Sequence, residues 1–230
     1  MTRRDMLEKL SLKIIGIISL IYIPCRGFAF SASQKRKKSF VILLGDSIRI
    51  NYQEVVKNQL ENKADIWVPD ENCQDSVFVL KNLDKWLTGK RPDVIHINCG
   101  LHDVFIENNG LPRRTPEDYR ENLDKIFSIL TSEFISSQII FALTTPVYEE
   151  RQKTSKTYGR LVRRNTDIDA INKKAIEVCR KYNVKIDDLN SAVLEEGVEN
   201  LIFEDGVYLN EKGKKYIGKR VSKCIENTIE

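Results

Sequence analysis

The chain has 230 residues and a mass of 26.6 kDa, the size of one ordinary domain. Hydrophobic residues make up 41% and charged residues 30%, which is enough apolar material for a core and excludes global disorder, while no apolar run reaches the roughly 18 residues of a membrane-spanning helix. The net charge of +4 is an N-terminal property: residues 1–32 carry +3 and Lys35-Arg36-Lys37-Lys38 carry +4, so the rest stands at −3, which speaks against a nucleic-acid binder.

The first segment reads as an address. A basic start with Arg3-Arg4, an apolar run from Ile14 to Ile23 and small residues at Ala29, Ser31, Ala32 and Ser33 have the order of an export signal. The adjacent arginines resemble a twin-arginine signal. The expected division is therefore an export signal over 1–33, a basic linker over 34–39 and one folded domain over 40–230, periplasmic or extracellular, with no membrane span after signal cleavage. Four cysteines fall in that domain, with no metal-type spacing. They are expected as unlinked thiols, two of them buried.

Phe40–Leu44 is an unbroken apolar run stopped by Gly45-Asp46, as for a strand covered on both faces. Helical spacing follows over Tyr52–Leu60, then a short strand over Ala64–Val68. Val77, Leu80, Leu83, Trp86 and Leu87 share one helix face. Asp93–Asn98 is a third strand. Thr115-Pro116 opens a helix, with Thr as N-cap and Pro at the first position. Gln138–Leu143 is a fourth strand, followed by a polar loop over about 149–165 and a helix to about Tyr182. A short strand over Val184–Asp187 and a helix over about 210–227 complete the chain. Both tryptophans are expected in the core, and His96 is expected as a core histidine with its nitrogens satisfied.

Strands alternating with helices predict an α/β fold: a three-layer α/β/α sandwich on a parallel sheet, flavodoxin-like in type. In such sheets ligands bind at the carboxyl ends of the strands. Three polar clusters fall there: Gly45-Asp46-Ser47, Asn98-Cys99-Gly100-Leu101-His102-Asp103 and Thr144-Thr145-Pro146. No glycine-rich phosphate loop is present.

These clusters, with Glu71-Asn72-Cys73-Gln74-Asp75 and Asp205-Gly206-Val207-Tyr208, fall in the order of the sequence blocks of the SGNH/GDSL hydrolases. The chain resembles that family from about Phe40 to Val221, and Asn-x-Gly-Leu-His-Asp resembles a bacterial subgroup of it. The resemblance implies ester hydrolysis without metal or cofactor, on a small-molecule or glycan ester. It implies Ser47 as nucleophile and Asp205 as the acid of the triad. Its oxyanion donors would be the Ser47 N–H, the Gln74 N–H and His102. Asn98 and the basic residues Arg160, Arg163 and Arg164 of the loop after the fourth strand, a basic lid, are the candidate substrate contacts.

The departures from the family pattern fall on the catalytic positions. Gln74 stands for glycine, His102 for asparagine and Tyr208 for the general-base histidine. A phenol loses its proton near pH 10, so it is not a base at neutral pH. His102, oriented by Asp103, is the one replacement, since the only other histidine is His96. The competing expectation is a catalytically degenerate domain that binds a glycan or acylated ligand without turnover.

Overall fold

The computed structural model describes residues 38–230; the expected export signal and nearly all of the linker lie outside the described residues. Five parallel strands, β1 (Ser39–Leu44), β2 (Ala64–Trp67), β3 (Val94–Ile97), β4 (Gln138–Ala142) and β5 (Lys185–Asp187), form one sheet in the order β2-β1-β3-β4-β5. Their connections carry α1 (Ser47–Leu60), α2 (Ser76–Leu87), α3 (Pro116–Glu133), α4 (Glu149–Thr154) and α5 (Asn165–Lys181). After β5 come α6 (Leu189–Glu196), α7 (Val198–Leu201) and α8 (Glu211–Ile229). The pairs α1·α8 and α3·α5 pack together, with α2 beside α3, giving the expected three-layer α/β architecture.

The central strands are apolar because both of their faces are covered. Val41, Ile42, Leu43 and Leu44 of β1 are all 0% exposed. Helix starts are set by side chains that satisfy free N–H groups. Asp46 accepts from Ile48 N and starts α1 at Ser47, five residues before the apolar spacing suggests. Thr115 and Asp118 form a capping box at α3, with Pro116 in the first turn.

The polar stretch after β4 is not all loop, since Glu149–Thr154 forms α4 without an apolar stripe to announce it. Helices α6 and α7 also lay hidden in the sequence. Three of the four thiols are buried rather than two, and all four are unpaired. Trp86 is core at 2% exposed, but Trp67 is only half-buried and carries Lys90 over its ring at 4.2 Å. His96 is fully buried with Nε2 3.2 Å from Asp187 Oδ2, yet its Nδ1 has no partner among the described residues. Among those residues no helix is long and apolar enough to cross a membrane.

Candidate active site

In this strand order the chain leaves β1 toward β2 on one side and returns to β3 on the other, so the loops after β1 and β3 diverge and leave a crevice between them. Ser47 is the first residue of α1 on one lip, half-exposed, where helix N–H groups point outward. His102, also half-exposed, is on the other lip.

Three links draw the distant segments onto the Ser47 turn. Cys73 N donates to Gly45 O at 3.1 Å, and Gly45 N donates to Cys73 Sγ at 3.2 Å, which places Gln74 beside the turn. Asn98 Nδ2 donates to Asp46 Oδ1 at 3.0 Å. Leu209 N donates to Asn51 Oδ1 at 3.0 Å, one helical turn beyond Ser47, and so carries the Asp205–Tyr208 segment to α1. Four of the five clusters singled out in the sequence, those at 45–47, 71–75, 98–103 and 205–208, therefore meet at one end of the sheet.

Within that framework the individual groups have distinct surroundings. Gln74 adopts φ +52°, the left-handed conformation of a glycine position, and its N–H donates to Asn72 Oδ1 at 2.8 Å. An oxyanion at this N–H must share or displace that bond. Asp205 is 5% exposed and accepts from Val207 N at 2.8 Å and Tyr208 N at 3.0 Å, so its carboxylate shapes its own turn. Tyr208 lines a cavity of about 600 Å³ with Asn51, Phe203, Asp205 and Leu209.

Burial holds the His102 imidazole below its usual value; Asp46 pulls the other way, and Arg163 and Arg113 press it further down. A neutral ring can accept a proton. Asp103 does not orient it: its oxygens take Ser76 N at 3.2 and 3.0 Å and Ser76 Oγ at 2.5 Å, fastening the loop to α2 instead. Of the carboxylates that act on His102, Asp46 exerts the stronger upward pull and Asp75 the weaker. Two thiols share this rim, but burial pushes Cys73 up to about 11 and Cys99 well up, so neither is a nucleophile at neutral pH.

The remaining expected contacts have structural partners. Asn98 is 6% exposed and supports Asp46 from beneath, with its Oδ1 3.5 Å from the Tyr52 hydroxyl. Arg163 is also 6% exposed; its Nε donates to Leu101 O at 2.7 Å. Arg160 donates twice to Ile106 O at 3.3 Å, and Arg164 donates to Gly110 O at 3.3 Å. The basic segment expected as an overhanging lid thus clasps the loop that carries His102. Gln152, 0% exposed, pins it by accepting from Val162 N and Arg163 N at 3.1 and 2.9 Å and donating to Arg163 O at 3.2 Å.

Close backbone approach also explains Gly100. Its φ is +144°, and a Cβ there would meet Thr144 Oγ1 at 2.1 Å, so this glycine lets the loop after β3 lie against the Thr144 cluster.

This parallel sheet with a serine at the first strand-to-helix turn has the fold of the SGNH/GDSL lipase-acylhydrolases. The lipase/acylhydrolase from Enterococcus faecalis superposes with TM-score 0.69 at 22% identity, covering 82% of this chain and 96% of that one. The acetyl xylan esterase AlAXEase gives TM-score 0.64 at 16% identity, covering 81% of this chain and 99% of that one. A GDSL-like lipase from Bacteroides thetaiotaomicron gives 0.63 at 13% identity, covering 82% and 88%. No protein-family model matches the sequence, and no curated protein matches it.

Proposed function

We propose that the chain is an SGNH/GDSL-type hydrolase of carboxylic esters, with acyl groups on carbohydrate as its substrate class and Ser47 as nucleophile. The observation that carries the reading is the half-exposed Ser47 at the start of α1, with the segments of Gln74 and Asn98 hydrogen-bonded to its own turn and that of Asp205 to the next turn of the helix. The acetyl xylan esterase among the similar folds, and the presence of Phe203 and Tyr208 in one cavity beside Asp205, support a sugar-bearing substrate. In this mechanism the Ser47 hydroxyl attacks the ester carbonyl and gives its proton to neutral His102. The Ser47 and Gln74 N–H groups hold the oxyanion, and His102 returns the proton to the departing alcohol. Asp46 takes the orienting part. Asp205 orders the turn that presents Tyr208, whose hydroxyl is available for a hydrogen bond to substrate. Arg160, Arg163 and Arg164 contribute by holding the loop that carries His102. In this reading the domain works outside the cytoplasm, after removal of residues 1–33.

Binding without turnover is the second reading, favoured by Tyr208 in the place of a base and by the Gln74 N–H already engaged with Asn72. One experiment separates the two. The protein, Ser47→Ala, His102→Ala and Tyr208→His are each offered a fluorophosphonate probe and p-nitrophenyl acetate. Labelling in the parent and none in Ser47→Ala is expected. Turnover should fall at least about 100-fold in His102→Ala and rise at least about 10-fold in Tyr208→His. A parent that is neither labelled nor hydrolytic, with glycan binding retained, establishes the second reading.

A further inference from the structure

Arg49 lies two residues after Ser47 in the first turn of α1, yet it is 1% exposed. Among the described residues its guanidinium pairs with no carboxylate. It collects carbonyls instead: Nε and Nη2 each donate to Gly45 O at 3.3 Å, Nη2 donates to Glu71 O at 2.7 Å, and Nη1 donates to Pro69 O at 3.4 Å and to Gln53 Oε1.

Those carbonyls belong to two loops. Gly45 is in the turn that presents Ser47, while Pro69 and Glu71 begin the loop that presents Gln74. The Gly45–Cys73 backbone pair joins the same two loops at a second point. Gly45 itself admits no side chain, since a Cβ would meet Asn98 Oδ1 at 2.0 Å and Arg49 Cβ at 2.6 Å. A buried cation is costly to desolvate and is tolerated only where its donors are well used. Packing α1 against the sheet would be met more cheaply by Met or Leu. What a planar guanidinium adds is a fixed geometry between several acceptors at once.

We propose that Arg49 is a positioning residue that sets the separation of the two backbone N–H donors, of Ser47 and Gln74, that form the oxyanion hole. This rests on the reading of Ser47 as nucleophile. Such donors act through their placement, and a displacement of about 1 Å can cost on the order of 100-fold in rate.

The test uses the full chain with Arg49→Met and Arg49→Lys. The rate constant is expressed per active site titrated with fluorophosphonate, so that a partly unfolded preparation does not lower it. The expected result for Arg49→Met is a kcat about 10- to 100-fold below the parent with KM within about twofold. Arg49→Lys should recover part of the loss, because an ammonium reaches some of the carbonyls but cannot span both loops. If Arg49→Met does not fold, Arg49→Lys carries the test with a kcat at least about threefold lower at unchanged KM. A folded Arg49→Met, or failing that Arg49→Lys, with kcat equal to the parent overturns the proposal while leaving Ser47 chemistry intact. An unlabelled parent with no turnover overturns the hydrolase reading itself, and with it any oxyanion hole for Arg49 to set.

Discussion

Gln74 holds a left-handed backbone at φ +52°, where most other positive-φ positions among the described residues are glycine. A side chain there carries steric strain of about 1–2 kcal/mol, part of which glycine would return as unfolded-state entropy. Gln74→Gly is therefore expected to raise stability by about 0.5–1 kcal/mol, or about 1–4 °C in melting temperature by scanning calorimetry. A lower melting temperature would mean that the glutamine side chain makes contacts that outweigh its backbone strain. The same scale marks what the sequence could convey about the site. Ser47, Gln74, His102 and Asp205 stand in short contiguous blocks that announce themselves. Arg49 and Gln152 do not, because their partners are mostly backbone groups, and no side-chain pattern records where a carbonyl or an N–H will lie.

Between elements, Asp103 is the fastening of the loop after β3 to the first residue of α2. Burial pushes its carboxyl up to about 7, against the pull of the Ser76 hydroxyl and N–H, while in the unfolded chain it titrates in the ordinary carboxylate range. The folded state thus binds the extra proton, and the stability it lends is present at low pH and is lost as pH rises through about 7. The denaturant midpoint should fall between about pH 4 and 7 and level off above that, and Asp103→Asn should flatten that slope. An unchanged slope in the variant would place the titration elsewhere. Elements with a clear apolar rhythm, such as β1 and α3, were legible within a residue or two at most ends. Helix α4 was not, because Glu-Glu-Arg-Gln-Lys-Thr has no buried stripe and its one buried side chain, Gln152, is polar.

Across the whole molecule, edge strand β5, central strand β3 and helix α8 converge on Asp187. Its Oδ2 is 3.2 Å from His96 Nε2 and its Oδ1 is 3.7 Å from Arg220 Nε, with the carboxylate 3% and the imidazole 0% exposed. Removing one partner of such a buried hydrogen-bonded pair leaves the other unsatisfied and typically costs about 1–3 kcal/mol. Asp187→Ala should therefore lower the urea-unfolding free energy by about 1–3 kcal/mol. A loss under about 1 kcal/mol would show that the pair is not what ties the edge strand in. The sandwich was legible because alternating strands and helices admit few right-handed topologies. The Asp187–His96 pair was not, since the residues are 91 positions apart and each, in isolation, reads as an ordinary strand residue.

Gln152 has a consequence for how a molecule enters. With one amide gripping both Val162 and Arg163, the end of the stretch from α4 to α5 is tied down, and those two N–H groups should exchange slowly with deuterated solvent. If the segment is fixed in this way, any ligand held against the loop after β3 meets a surface of set contour.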